Sequence, residues 1–169
     1  MSASSRRRKA EPAIDIVVAS QLWKAQPRAQ ATVRRAIAAA AAMASTGGGE
    51  LAIVLTDDSA MRALNRRWRG KDRPTNVLSF PAVAPRRDRG APRLLGDIVI
   101  AYQTTAREAA AERKPFLHHL SHLAVHGYLH LLGYDHEADK AAAAMEGLET
   151  KALARLRLPD PYMMGDAKV

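Results

Sequence analysis

Residues 115–136 read PFLHHLSHLAVHGYLHLLGYDH, and this stretch contains all six histidines of the chain. Leucine and other apolar residues fill the positions between the histidines, which predicts a buried helix over residues 115–132. Gly133 can end that helix by adopting a left-handed conformation, after which the chain turns back. The stretch therefore predicts that one core helix carries most of the histidines.

Three of these histidines have the spacing of a metal site. His126 and His130 lie four positions apart, so their imidazoles stand one turn apart on one helix face. The turn at Gly133 lets His136 supply a third ligand, and three histidines with an open fourth position match a catalytic zinc site. The alternative is that these are surface or hydrogen-bonded core histidines. Three histidines at ligand spacing around a helix-ending glycine favour the metal.

The neighbouring polar residues have less specific patterns. His122 lies one turn before His126, where it can orient a ligand from outside the metal site or serve as an alternative ligand; the first role is favoured. Asp135 can accept a hydrogen bond from a ligand imidazole and fix its tautomer, or it can simply shape the turn. His118 and His119 begin the helix and are expected to be bystanders.

Gly127 directly follows the first of the three spaced histidines. The pattern His-x3-His-x5-His has the spacing of the metzincin proteases, which place a glutamate base at this position. Glycine there argues against peptide hydrolysis. Because glycine costs about 1 kcal/mol relative to alanine inside a helix, its presence suggests that substrate or a neighbouring element approaches the backbone closely.

The positive charge of the chain is concentrated in two segments. The sequence has 26 Lys and Arg against 17 Asp and Glu, a net charge of +9. Residues 62–93 contribute +8 and residues 1–10 contribute +4, whereas the remainder sums to −3. A concentrated positive field is what a polyanion-binding surface requires, although a solvated basic face without a partner has the same composition.

Residues 66–80 place several of these basic residues around a tight turn. A guanidinium group binds phosphate through two parallel hydrogen bonds, and beside a metal it can stabilise the charge of a transition state. Trp68 keeps helical register with Leu64 and Met61, so it is expected in the core rather than as a base-stacking platform. Three arginines are expected to be solvated helix surface: Arg62, Arg66 and Arg67.

The remaining sequence alternates strand and helix patterns. Strands are predicted at residues 13–18, 51–55, 76–80 and 97–102. Helices are predicted at residues 27–45, 57–69, 103–113, 115–132 and 137–157. This order predicts an α/β (α+β) fold, a single domain with a roughly four-stranded mixed sheet packed by about five helices. The expected layout is a flexible basic tail at 1–11, one domain at 12–158 and a frayed tail at 159–169.

Composition excludes several classes of protein. The absence of cysteine excludes a disulfide scaffold, a thiolate zinc site and a cysteine nucleophile. The basic residues 6–9 are not followed by an apolar segment, so the N-terminus does not read as a secretory signal. No stretch approaches the 18 uncharged apolar residues of a membrane span. The lack of cysteine is compatible with a reducing cytoplasm, and we expect a cytoplasmic protein without a membrane partner. Composition alone leaves an organelle transit peptide open.

Three blocks of the sequence resemble one known family. Residues 126–136, HGYLHLLGYDH, are similar to the H-G-x-L-H-L-x-G-Y-D-H motif of the YbeY family, the bacterial rRNA maturation factors. Residues 69–81 resemble a second block of that family and residues 95–100 a third, in the family's order. The basic N-terminal tail and the Arg-rich insertion at 86–93 are not part of the motifs.

The resemblance implies a single-strand-specific endoribonuclease that matures the 3′ end of small-subunit (16S) rRNA and acts in ribosome quality control. It implies one zinc ion on His126, His130 and His136, and it makes Arg69 the functional arginine. The predicted catalytic residues are thus Arg69 and His126. The implied partners are rRNA and the small ribosomal subunit, together with a small-subunit ribosomal protein and an Era-type GTPase.

Two other functions stay open at this point. A metal-dependent peptidase is opposed by Gly127 and by the basic segment. A non-catalytic assembly factor with structural zinc is opposed by the open fourth position, because structural zinc sites usually have four protein ligands. The general base of a nuclease is not identified. His122 is one candidate, and the substrate's own 2′-hydroxyl can instead be the nucleophile.

Overall fold

The structure is a computed structural model that describes residues 11–44, 48–83 and 91–163. Within these ranges the chain forms four strands and five α-helices. The strands are β1 (Ala13–Val18), β2 (Glu50–Thr56), β3 (Val77–Pro81) and β4 (Leu94–Ala101). The helices are α1 (Ala29–Met43), α2 (Asp58–Arg69), α3 (Tyr102–Ala111), α4 (Phe116–Leu131) and α5 (Asp139–Arg155). The predicted order of strands and helices is confirmed.

The sheet is mixed, as predicted, with the strand order β1-β2-β4-β3. β1, β2 and β4 run parallel, and β3 runs antiparallel to β4 at the edge. Ile53 in β2 pairs with Ile16 on one side and with Ile98 on the other. These β-branched residues suit a strand that is covered on its faces.

Helices cover both faces of this sheet. Side chains alternate along β4, so that Ile98 and Ile100 join the larger core while Val99 joins a smaller one with Met61 of α2. The larger core surrounds α4, which packs against α1, α3, α5 and the strands β3 and β4. Tyr128 of α4 has no exposed surface. The predicted buried helix is therefore α4.

Hydrogen bonds anchor the start of α2 to α3. The side chain of Asp57 caps α2 by accepting from the backbone N–H of Ala60 at 2.9 Å. The carboxylate of Asp58 accepts from the backbone and the hydroxyl of Thr104, at 3.0 and 2.8 Å, and from Arg107 at 2.8 Å. At its other end α2 stops at Gly70, whose φ of 67° is left-handed. These contacts fix where the basic end of α2 lies.

One short element has no counterpart in the prediction. Residues Gln21–Ala25 form a 3₁₀ helix that is capped by the side chain of Ser20. Trp23 in this turn is 3% exposed and donates from its indole Nε1 to the carbonyl of Thr56 at 2.8 Å. A single 3₁₀ turn is too short to leave a periodic apolar pattern, which is why the sequence did not predict it.

The expectation that Trp68 lies in the core is wrong. Its side chain is 60% exposed, although Met61, two turns earlier on α2, has no exposed surface. By residue 68 the helix has reached β3, and β3 is the edge strand of the sheet, so among the described residues no further strand covers the ring. Helical register predicted the side of the helix correctly and the depth of burial wrongly.

The predicted tails lie partly beyond the described residues. Residues 1–10 of the expected basic tail, residues 84–90 of the Arg-rich loop and residues 164–169 of the expected frayed tail lie outside them. Inside them, the carboxylate of Asp160 accepts from the backbone of Tyr162 at 2.9 Å, and the Tyr162 hydroxyl donates to Glu149. Over the described ranges, no helix is both long and apolar enough to span a membrane.

Candidate metal centre

The imidazoles of His126, His130 and His136 converge on one point. The Nε2 atom of His126 lies 3.1 Å from Nε2 of His130 and 3.2 Å from Nε2 of His136. Nitrogen ligands at about 2.0–2.1 Å from a tetrahedral zinc ion are separated by roughly 3.3 Å. All three nitrogens lie within 4.8 Å of one another, so a single cation can contact them together.

The end of α4 produces this convergence. His126 and His130 lie one turn apart on the helix. The N–H of Gly133 then donates to the carbonyl of His130 at 3.0 Å, and the N–H of Tyr134 to that of Leu129 at 3.1 Å. Gly133 has a φ of 98°, a conformation that favours glycine. The chain turns back at this residue and brings His136 to the other two histidines, as the sequence predicts.

A buried carboxylate that the sequence did not single out holds two of the histidines. Glu149 of α5 has a side chain with no exposed surface. Its Oε1 lies 2.7 Å from Nδ1 of His126, and its Oε2 lies 2.7 Å from Nε2 of His122. When Nδ1 of His126 donates to Glu149, the ring keeps its Nε2 lone pair for a metal.

The charge of Glu149 is stabilised by its neighbours. Burial alone raises the pKa of this carboxyl, but hydrogen bonds from His122, His126 and Tyr162 outweigh burial and lower the pKa to about 2. The group is therefore ionised at neutral pH and can only accept. The sequence contained a sign that Glu149 is functional. It shares the buried stripe of α5 with Met145 and Leu153, where an acidic residue needs hydrogen-bond or charged partners.

The contacts of His122 favour an orienting role. His122, His126 and Glu149 also form a second group whose atoms lie within 4.8 Å of one another. However, the 2.7 Å distances from both rings to the carboxylate are those of direct hydrogen bonds. No space for an ion is left between these atoms, so we interpret His122 as a support for Glu149.

The surroundings of His130 favour its neutral form. Burial lowers its pKa, and the neighbouring imidazoles of His126 and His136 lower it further, against the weaker opposing effects of the Tyr134 backbone and Glu149. The lowered pKa favours the neutral ring at neutral pH. Only a neutral imidazole has a lone pair for a metal ion, so the environment of His130 suits a ligand.

Gly127 is required by a neighbouring element rather than by substrate. A Cβ atom at this position would lie 2.9 Å from Cγ2 of Ile98 and 3.2 Å from Oγ of Ser79. The hydroxyl of Ser79 also donates to the carbonyl of Gly127 at 2.9 Å. The glycine thus lets α4 pack closely against β3 and β4, and this packing fixes the distance of His126 from the edge strand.

Arg69 and the three histidines line one cleft. The cleft has a volume of about 490 Å³, and Val77, Ser79 and Pro81 of β3 form another part of its wall. Arg69 is the last residue of α2, and the turn after it is held by Asn65, whose buried amide donates to the carbonyl of Arg73 at 2.8 Å. The structure therefore brings together all four residues that the sequence selected.

The other predicted polar residues have structural contacts. The carboxylate of Asp135 lines the cleft and accepts from the backbone of Glu137 at 3.1 Å, which is the turn-shaping alternative. His119 is buried, and its Nε2 lies 3.2 Å from Oε2 of Glu108, so it is a bystander to the metal site but not to the fold. The partly buried His118 lies outside the cleft lining.

Comparisons with known proteins agree with this geometry. A family model described as Endoribonuclease YbeY matches residues 17–157. A Rhodopseudomonas palustris protein named Endoribonuclease YbeY is 59% identical over 155 residues, which cover 89% of this chain and 92% of the relative. A Bradyrhizobium protein of the same name is 56% identical over 156 residues, with 89% and 92% covered.

A solved structure supports the fold. The solution structure of a Thermotoga maritima protein is similar with a TM-score of 0.52 and 21% identity, and the match covers 92% of this chain and 97% of that chain. At this identity the likeness bears on the fold alone. The sequence relatives carry the assignment, because they are similar over nearly the whole chain. The chain therefore belongs to the endoribonuclease YbeY family.

Proposed function

We propose that this protein is a zinc-dependent, single-strand-specific endoribonuclease that acts in the maturation of the 3′ end of 16S rRNA and in ribosome quality control. The observation that carries the proposal is the convergence of three imidazole Nε2 atoms in a cleft that Arg69 also lines. Family membership supports the reaction class, since the relatives bear the name endoribonuclease.

Each residue of the cleft has a separate task in this proposal. His126, His130 and His136 would hold the ion. When bound, the ion would act as a Lewis acid that polarises a phosphoryl oxygen or lowers the pKa of a water molecule. Arg69 binds the scissile phosphate and neutralises the charge that grows on its oxygens. Glu149 orients the ring of His126 from behind.

The nucleophile divides the proposal into two routes. Attack by water needs a proton acceptor in the cleft, and His122 is poorly placed for that task because its Nε2 bonds to the buried Glu149. The exposed Glu137 lines the cleft and is better placed. Attack by the 2′-hydroxyl of the RNA leaves a 2′,3′-cyclic phosphate, whereas water leaves a 5′-phosphate. Mapping the product ends distinguishes the two routes.

The setting of the reaction is part of the proposal. We place it in the cytoplasm, on the small ribosomal subunit, with a small-subunit ribosomal protein and an Era-type GTPase as partners. We also propose that residues 12–158 form the single folded domain. Family membership supports the RNA substrate, and copurification of tagged protein with ribosomal subunits tests the partners.

The direct test of the function is cleavage of defined RNAs. Zinc-loaded protein should cut a single-stranded oligoribonucleotide and leave the matched duplex intact, and both His130→Ala and Arg69→Ala should lose this activity. A folded His130→Ala variant that still supports rRNA maturation would instead indicate a non-catalytic assembly factor. Chelator-sensitive release of peptides from a protein substrate would indicate a peptidase.

A further inference from the structure

Trp68 is a large apolar side chain held open to solvent. The ring is 60% exposed, and two neighbouring side chains contact it. Phe80 meets it edge-on with ring centroids 6.2 Å apart, and the guanidinium of Arg67 lies 5.2 Å from its centroid. An indole that contacts an aromatic ring and a guanidinium and still exposes more than half of its surface has the form of a stacking surface.

The charges around Trp68 indicate what kind of molecule would cover it. Exposed cations surround it along the chain: Arg66, Arg67, Arg69, Lys71 and Arg73. The one acidic residue in this segment, Asp72, is paired with Arg62 at 2.8 Å. An apolar protein surface would leave these cations without partners. A single-stranded nucleic acid supplies both a base for the ring and phosphates for the cations.

Trp68 also lies next to the metal cleft, around the edge strand β3. Trp68 directly precedes Arg69, which lines the cleft. Phe80, which contacts Trp68, stands in β3 between Ser79 and Pro81, and both of these residues also line the cleft. Alternate residues of a strand point to opposite faces, so the cleft and the ring lie on the two sides of β3. The ring is therefore one residue along the chain from Arg69 and across the edge strand from the cleft.

We propose that Trp68 is a stacking platform for an unpaired base of the RNA, close to the phosphate that is cleaved. This inference rests on the proposed function, because it assigns a further contact to the same substrate. It also gives a physical reason for a preference for single strands. The bases of a duplex are already stacked on one another and cannot reach the ring.

The test measures binding instead of cleavage. The probe is a fluorescently labelled single-stranded 2′-O-methyl oligonucleotide, which keeps its bases and phosphates. Trp68→Leu in the full chain should weaken binding about 5- to 150-fold, the range of one lost base–aromatic stack, while Trp68→Tyr retains most of the affinity. The slope of log affinity against log salt should not change for Trp68→Leu, because no phosphate contact is lost.

A second measurement reads the ring itself. In Trp23→Phe, which replaces the buried indole, Trp68 is the one remaining tryptophan of the sequence. Its fluorescence should be quenched by the single strand and not by the matched duplex. If a folded Trp68→Leu variant binds the single strand as tightly as wild type, the platform is overturned. The exposed ring would then be assigned to a contact with another protein.

The failures of the two proposals are distinguishable. If the protein cuts RNA and Trp68→Leu binds as well as wild type, the platform is wrong and the function stands. If Trp68→Leu weakens binding and no RNA is cut, the catalytic proposal is wrong, and Trp68 stands as a base-stacking residue of an RNA-binding surface. Absence of any binding of the single strand by wild type overturns both.

Discussion

Nδ1 of His126 lies 2.7 Å from Oε1 of Glu149, a carboxylate whose side chain has no exposed surface. This contact joins the helix that carries the histidines to the last helix of the domain. Because the buried oxygen can only accept, it holds the proton of His126 on Nδ1 and leaves Nε2 for the metal. The proposed metal site therefore depends on α5 as well as on α4.

The first prediction concerns this carboxylate. Glu149→Gln keeps the shape of the side chain but offers one acceptor and one NH₂ group to two histidines that both need an acceptor. We expect zinc affinity to fall about 10- to 100-fold, measured by competition with a chromophoric chelator. Glu146→Gln, an exposed substitution on the same helix, is the matched control. Unchanged affinity in a folded Glu149→Gln variant would show that the contact does not orient the ligand.

The second prediction compares two helical glycines. In Gly127→Ala the new Cβ would lie 2.9 Å from Ile98 and 3.2 Å from Ser79, so these side chains, or α4 itself, must shift. We expect a loss of about 1–3 kcal/mol in the free energy of unfolding, together with weaker metal binding. Gly147→Ala meets no atom within 4 Å and should gain about 0.5–1 kcal/mol. Urea denaturation measures both changes, and equal effects would contradict the packing argument.

The third prediction distinguishes the role of Arg69 in cleavage from the role of the metal ligands. Arg69→Ala should lower the RNA cleavage rate about 10²-fold or more, because a charge-stabilising donor is lost from the cleft. Arg69→Lys should restore little of the rate, since an ammonium cannot form the paired hydrogen bonds of guanidinium. Zinc content should stay at the wild-type value in both variants. The control is Arg155→Lys, at an exposed position at the end of α5. A wild-type cleavage rate in Arg69→Ala would show that Arg69 has no part in the mechanism.

The fourth prediction concerns pH and a site away from the metal. Burial alone raises the pKa of Glu108, but hydrogen bonds from His119 and Asn76, with the charge of Lys114, outweigh burial and hold it below the ordinary value of 4.5. A lowered pKa in the folded state stabilises the protein above the ordinary pKa. This contribution is lost as the pH falls through the lowered value.

Glu108→Gln tests this linkage. We expect the variant to be less stable than wild type by roughly 1 kcal/mol at pH 7, because an ionised acceptor is replaced by a neutral one. The difference should shrink as the pH falls below 4.5. Unfolding curves recorded from pH 7 to pH 3 measure it, with Glu146→Gln as control. A difference that stays constant with pH would mean that ionisation of Glu108 contributes nothing to stability.

The sequence predicted well what depends on local spacing. The positions of His126 and His130, the turn at Gly133 and the return of His136 follow from helix geometry and from the backbone freedom of one glycine. The four strands were recognisable from short β-branched runs between turn residues. In each case the deciding interactions lie within about ten residues of one another.

Contacts between residues that are distant in the sequence could not be predicted from local spacing. Glu149 lies 23 residues from His126, and a local pattern reveals only that an acid lies on an apolar stripe, not which partner it has. The neighbour of Gly127 was left open for the same reason, since Ile98 belongs to another strand. Trp68 was misplaced because its exposure depends on where the sheet ends, which no periodicity within α2 records.

The most direct test of the account is a crystal structure of the zinc-loaded protein with data collected at the zinc absorption edge. The account predicts one strong anomalous peak per chain at about 2.0–2.1 Å from Nε2 of His126, His130 and His136, on the side that faces Arg69. A peak placed instead between His122 and Glu149, or a full-occupancy peak that one of the three rings does not touch, would contradict it.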